Sequence, residues 1–468
     1  MALPAGEPVA SVFDSRPIGF LQWVALAICG MCMVIDGFDV QAMAYAAPAL
    51  IRAWGVDRSV LGPVFSAGLL GMFVGSLALA GLADRFGRRP MLIAATLWVA
   101  LWMVLTPFSA TINQLIGIRF GAGVGMGVII PNAMALASEY SQARVRMTLM
   151  MIVSSGYVVG GVVGGAVAGL VIGPYGWGGV FYAGALLTAL LGFTMVFVLP
   201  ESLQYYLLHQ PGKPRTWQLL QRLAPGAAMP GEAVASHIDE RRTRHEQRTR
   251  TALFGDGRTM VTPLLWAANF GNMLCAYFLA AWIPVLMSKS VGSAEGAVMA
   301  GTILWIGGLA GNALLGTLID RWGFAAVLLI NFVVGGLAIA GISLFHAAPH
   351  AAMLFVALAG FCVLGGQSGL NALAVTLYPT QSRATGAGWA LGVGRLGAVL
   401  GPLAGGHLMA IAWTADQTLL VSAIPAACAA AAIGALGLLF RRRIEARSVC
   451  VPCTGDQQDQ SGLPDGAA

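Results

Sequence analysis

Twelve stretches of this 468-residue chain are apolar over lengths that match the thickness of a bilayer. They run at roughly 19–47, 60–80, 91–110, 114–137, 147–172, 177–199, 262–288, 297–318, 325–345, 351–376, 384–411 and 418–440. Only 10% of the residues are charged, against about 25% in a soluble globular domain. In lipid each backbone polar group needs a partner within its own segment or in a closed barrel. The chain therefore reads as an all-α integral membrane protein with twelve transmembrane helices. The first stretch is too long for the core of a secretory signal and has no basic run before it, so it reads as an uncleaved span.

The spacing divides the chain into an N-terminal tail (1–18), a six-helix bundle (19–200), a central loop (201–261), a second six-helix bundle (262–441) and a C-terminal tail (442–468). Positive charge sets the expected orientation. With both termini in the cytoplasm, 21 of the 26 Lys and Arg fall on the cytoplasmic side, and only Arg52, Arg58 and Lys289 on the other. The topology accounts for the net charge of +6, so nucleic acid is not implied as a partner. The run "DERRTRHEQRTR" at 239–250 reads as a solvated cytoplasmic segment.

Two basic residues, Arg119 and Arg395, remain inside spans, together with Asp36 and Asp39 in "DGFD" of the first span. Each carboxylate costs roughly 2.5–3.5 kcal/mol at the bilayer centre on insertion scales. Charges kept at such cost face a cavity and pair. The two aspartates are three residues apart and share a helix face. Arg119 sits roughly 9 Å into its span from the non-cytoplasmic side, a depth compatible with Asp39, and Arg395 roughly 18 Å in from the cytoplasm. Of the seven cysteines, Cys29/Cys32 and Cys450/Cys453 form CxxC pairs, but one lies in a span and the other in a tail, so no zinc site is expected.

The two bundles repeat each other. "AGLADRFGRRP" (80–90) matches "GTLIDRWGF" (316–324) at an offset of 236, aligning Asp84 with Asp320, Arg85 with Arg321 and Gly87 with Gly323. "YSQARVR" (140–146) matches "YPTQSRATG" (378–386), aligning Arg144 with Arg383. Parallel halves of this kind mark secondary transporters, with the substrate site between the halves near the midplane. The intramembrane charges do not repeat. Asp36 falls on Asn272, Asp39 on Cys275 and Arg395 on Gly156.

The pattern G-x-L-A-D-R-x-G-R-R resembles that of the major facilitator superfamily, with Ala80 in place of its first Gly. "DGFD", Arg119, "LPES" (199–202) and "GLNALAVTLYPTQSRATGAGWALGVGRLG" (369–397) are similar to the aromatic acid:proton symporters. The resemblance implies a proton-driven importer of an aromatic carboxylate, such as a hydroxybenzoate, acting as a monomer in a bacterial inner membrane without a cofactor. Arg395 is expected to grip the substrate carboxylate bidentately. Asp36 or Asp39 is expected to carry the proton, with Arg119 as the partner that switches. Gln367 and Asn371, four apart on one face, are candidates for a ring hydroxyl or the carboxylate, and Gln41, Tyr45 and Trp389 for the pocket wall. Asp84, Arg85, Gly87, Arg88, Glu139, Arg144, Asp320, Arg321 and Arg383 are the expected gating residues.

Another organic anion, or efflux by antiport, stays open. An antiporter pattern, G-x-x-x-G-P-x-x-G-G, is expected in the fifth span; here that span lacks the proline, and "GAVLGPLAGG" (397–406) lies in the eleventh instead. A sensor for such acids would need a signalling domain, which the apolar-poor loop 201–261 does not offer. No nucleophile–base pair or nucleotide loop suggests an enzyme.

Overall fold

The structure, a computed structural model, describes residues 18–142, 144–209, 253–254, 259–291, 293–345, 348–378 and 383–449. The cluster at 239–250, the N-terminal tail before Ile18 and the Cys450/Cys453 pair lie outside the described residues. All twelve apolar stretches form helices: α1 Phe20–Trp54, α2 Leu61–Ala78, α3 Arg88–Leu105, α4 Ile112–Tyr140, α5 Arg146–Tyr175, α6 Gly179–Val198, α7 Val261–Val291, α8 Ala294–Trp322, α9 Phe324–Leu344, α10 Pro349–Leu377, α11 Arg383–Ala410 and α12 Ala423–Val449. The described residues contain no strand. The protein is a multi-pass membrane protein.

The first helix runs beyond the stretch expected to end at 47. Pro48 lies inside it, and the turn carrying Arg52 is capped only at Gly55, whose left-handed φ of 63° lets its N–H reach the Ile51 carbonyl. Pro48 removes one backbone bond, but Ala46, Ala47 and Leu50 are fully buried around it, so packing holds the helix through the break. The corresponding proline, Pro284, also lies within its helix, α7.

Packing follows the repeat. α1 lies along α5, α2 along α4 and α3 along α6; α7 lies along α11, α8 along α10 and α9 along α12. Small residues make the closest approaches, because dispersion and not hydrophobicity holds helices together in lipid. A Cβ added at Gly71 or Gly75 of α2 would run into the backbone of Phe120 or Val124 of α4. Gly307 and Gly311 of α8, displaced by the same 236 residues, press equally on Ala357 and Phe361 of α10.

The bundles meet through α2 against α11, α5 against α8 and α1 against α7. An even number of crossings puts both ends of the described chain on one face, with Arg85, Arg88, Arg89, Arg144, Arg146 and Arg321; we term this the basic face. One stripe of α5 shows how the bundles diverge. Gly165 packs on Thr302, Gly161 on Trp305, and Val158 is buried with Trp305 and Ala280. Further along the same stripe, toward the basic face, Ser154, Met151 and Met147 are exposed. α11 behaves alike. Gly406 and Pro402 press on Gly62, and Val399 accepts a 2.8 Å bond from Ser66 Oγ. Below them Gly392 and Gly388 face open space. A cleft between the bundles therefore opens toward the basic face and closes toward the other.

Candidate functional site

The two aspartates of α1 have different surroundings. Asp39 is fully buried and gripped by Arg119 of α4: Nη1 donates to Oδ1 at 3.0 Å and Nη2 to Oδ2 at 2.8 Å, while Nη2 also reaches the Asp39 carbonyl at 3.1 Å. Arg119 is 3% exposed and its guanidinium lies over the Phe181 ring of α6. This is the bidentate geometry that makes a buried ion pair tolerable. Asp36 is equally buried, yet neither of its carboxylate oxygens has a hydrogen-bond partner.

Arg395 occupies the α11 stripe between Val399 and Gly392, so it lines the cleft. It makes no hydrogen bond or ion pair among the described residues, and it lies within electrostatic reach of Asp36. Beside it α7 brings Asn269, which adjoins Gly394. Gln367 of α10 ties the second bundle together there. Its amide donates to Asn269 Oδ1 at 3.1 Å and to Asn371 Oδ1 at 2.9 Å, and its oxygen accepts from Asn272 at 2.8 Å. Gln367 and Asn371 thus form a polar ladder with Asn272, the residue that aligns with Asp36 in the repeat.

Gln41 donates across the bundles to the Ala280 carbonyl at 2.9 Å, and it lines a pocket with Arg119, Tyr277 and Phe65. Tyr45 is 1% exposed and donates to the Gly161 carbonyl at 2.9 Å, within the closed part of the interface. Trp389 lies six residues from Arg395, which on a helix is about 120° around the axis. It stacks on Trp266 at 5.7 Å and is 51% exposed, so the structure does not bring it to the cleft beside Arg395.

At the basic face Glu201 organises the first bundle. Its Oε1 accepts from the backbone N–H groups of Arg88 (2.9 Å), Arg89 (3.1 Å) and Ser202 (2.9 Å), capping the N-terminus of α3. Gly87 makes room. It takes φ 98°, and a Cβ there would sit 2.5 Å from Glu201 Oε2. Arg88 forms an ion pair with Glu139, which also accepts from Ser202 Oγ, and Tyr140 Oη donates to the Glu201 carbonyl at 2.7 Å. Arg144 bonds to Gln142, while Arg85 lies against Phe86 and Arg321 against Trp322. Asp84 and Asp320 sit exposed on the basic face. Arg383 opens α11; its side chain lies outside the described residues. Glu201→Ala is expected to lower stability by about 0.5–2 kcal/mol, the usual worth of a helix N-cap. Glu201→Gln, which keeps an acceptor, should lose less; unfolding in detergent followed by denaturant measures both.

The sequence profile of the Major Facilitator Superfamily matches residues 29–402. The chain belongs to the major facilitator superfamily. It is accordingly a transporter and not an enzyme. It is 36% identical over 442 residues to the 4-hydroxybenzoate transporter PcaK of Pseudomonas aeruginosa, covering 94% of this chain and 98% of the relative. It is 33% identical to the gallate transporter of Pseudomonas putida, covering 91% and 94%. The xylose transporter XylE from E. coli, in its inward open conformation, shares the fold with a TM-score of 0.70 at 14% identity, covering 87% of this chain and 94% of that one.

Within this facilitator, residue patterns alone do not single out Glu201, Asn269, Tyr157 or Tyr277. Glu201 had a signal, being the acid of "LPES" directly after the sixth span. The others carry none, because their partners lie on helices about a hundred residues away. Tyr157 of α5 and Tyr277 of α7 share a hydrogen bond of 2.9 Å between the bundles. The buried Cys29 and Cys32 of α1 are free thiols packed in the core.

Proposed function

We propose that this facilitator imports an aromatic carboxylate together with a proton, by alternating access of its two bundles. The basis is the division of charge around one cleft. Among the described residues the first bundle offers a satisfied Asp39–Arg119 pair and an acid without a hydrogen bond, Asp36; the second offers Arg395, a guanidinium without a hydrogen bond or ion pair. The transport of 4-hydroxybenzoate and gallate by relatives of nearly the same length supports an aromatic acid as cargo.

Asp36 is the proton site in this proposal. A charge buried without a partner is expensive, and protonation removes the cost. Asp39 has its arginine and needs no proton. The substrate carboxylate neutralises Arg395, so a proton on Asp36 and an anion on Arg395 leave the loaded cleft without net added charge. A loaded cleft of that kind closes and reopens more easily than one carrying a lone charge, and this couples the two cargoes. In this reading the basic face is the cytoplasmic one, which the excess of Arg on it supports, with both termini in the cytoplasm and the transporter in a bacterial inner membrane. The protein works as a monomer and takes its energy from the proton gradient, with no cofactor.

Uptake into proteoliposomes tests this with labelled 4-hydroxybenzoate, gallate and benzoate under an imposed pH gradient, with and without a protonophore. Accumulation that collapses with the protonophore is the expected result. Uptake indifferent to the gradient overturns proton coupling, export driven by inward proton flow would make the protein an antiporter, and transport of none of the three acids overturns the aromatic cargo.

A further inference from the structure

The cleft ends on two phenols. Tyr157 lies one turn nearer the basic face than Gly161, and Tyr277 one turn nearer it than Ala280 and Ala281, so among the described residues this pair is the side-chain hydrogen bond between the bundles that lies nearest the open side. Both side chains are half-buried, unlike the fully enclosed Tyr45. The Tyr157 ring is held against Trp305 of α8, centroids 5.8 Å apart and planes at 60°. Arg395 is within electrostatic reach of both hydroxyls.

Two hydroxyls bonded to each other use one of their two protons; the second is free to donate. A carboxylate accepts both. It replaces one neutral bond by two charge-assisted ones, each roughly twice as strong.

We propose that Tyr157 and Tyr277 bind the substrate, the carboxylate taking both phenolic protons in place of the bond between them. One donor comes from each bundle, so the bound anion becomes the bridge, and Arg395 supplies the opposing charge from α11. The proposal rests on the aromatic-carboxylate function above and adds a pair of binding residues to it. It also gives the substrate direct purchase on both moving halves, which a site confined to Arg395 and the Gln367 ladder would lack.

Equilibrium binding to the purified full-length protein tests it, with 4-hydroxybenzoate and 4-hydroxybenzyl alcohol as probes. The alcohol keeps the ring and the ring hydroxyl but has no carboxylate. Tyr157→Phe and Tyr277→Phe keep both rings in place. Each is expected to weaken 4-hydroxybenzoate about tenfold, the worth of one hydrogen bond to a charged group, and to leave the alcohol unchanged. A merely structural bond predicts equal effects on both probes, or none. Either of those results in a folded variant overturns the proposal. Arg395→Gln supplies an independent arm, because it keeps both phenols: it should still prefer the acid over the alcohol, and loss of all preference overturns the clasp as well. Failure of the wild type to bind any aromatic acid is a different result, since it removes the functional reading and the clasp with it.

Discussion

Asp39→Ala should cost the protein about 3–5 kcal/mol of stability, the penalty for stranding one member of a buried ion pair. Arg119 is 3% exposed and spends two of its donors on this carboxylate. Without the Asp39 carboxylate it keeps, among the described residues, the bond to the backbone carbonyl at that position and the face of Phe181. Membrane yield and monodispersity in detergent should fall sharply, and Arg119→Ala should do comparable damage from the other side. The double variant Asp39→Ala with Arg119→Leu removes both charges, and buried pairs replaced by apolar side chains are often neutral in stability. It should recover much of the fold. Transport should stay absent if the pair serves the alternating cycle, and return if the pair only holds α1 to α4. Normal stability of Asp39→Ala would contradict the burial and bonding described for Arg119.

Asp36→Asn should give the opposite outcome, an intact fold with a lost function. Among the described residues neither Asp36 oxygen has a hydrogen bond to lose, so the substitution breaks no bonded contact and removes only the charge that Arg395 faces. A proton moving with each substrate anion supports about tenfold accumulation per pH unit across the membrane, because one unit is worth about 1.4 kcal/mol. Asparagine cannot titrate. Accumulation under a pH gradient should therefore drop to none, while exchange of labelled for unlabelled substrate across the same vesicles persists and becomes independent of pH. Full gradient-driven accumulation by Asp36→Asn would reject Asp36 as the proton site. Loss of exchange as well as accumulation would move Asp36 from proton carriage into the binding of substrate.

These two variants separate residues that the motif "DGFD" presents as equals. The sequence ranks both acids together because each pays the same insertion cost and they share a helix face. The structure distinguishes them through their partners. Arg119 lies 80 residues from Asp39, and only the packing of α4 against α1 decides which carboxylate it reaches. Depth along the helix anticipated a meeting with Asp39; it did not exclude Asp36. In the same way "LPES" marked a motif without a role, and Glu201 acquires one only where the α3 N-terminus arrives with Gly87 clearing the space.

Trp389 and the Tyr157–Tyr277 pair show the two directions in which sequence spacing falls short. Trp389 lies in the same glycine-rich stretch as Arg395, but the helical turn carries it to another face, where it stacks on Trp266. Tyr157 and Tyr277 are 120 residues apart in opposite bundles, each an unremarkable aromatic residue in an apolar span, and they meet at the end of the cleft.

The sequence by itself determined the twelve spans, the doubled architecture and the four charges that have no business in lipid. Hydropathy and insertion cost are properties of each segment alone, and a repeat is visible wherever two segments align. The tertiary structure decided which acid is paired, which arginine pairs it, what caps α3 and where the cleft ends. Those outcomes depend on which helices touch and at what rotation about their axes, and a rotation of one residue, about 100°, is enough to carry a side chain from a cleft into lipid.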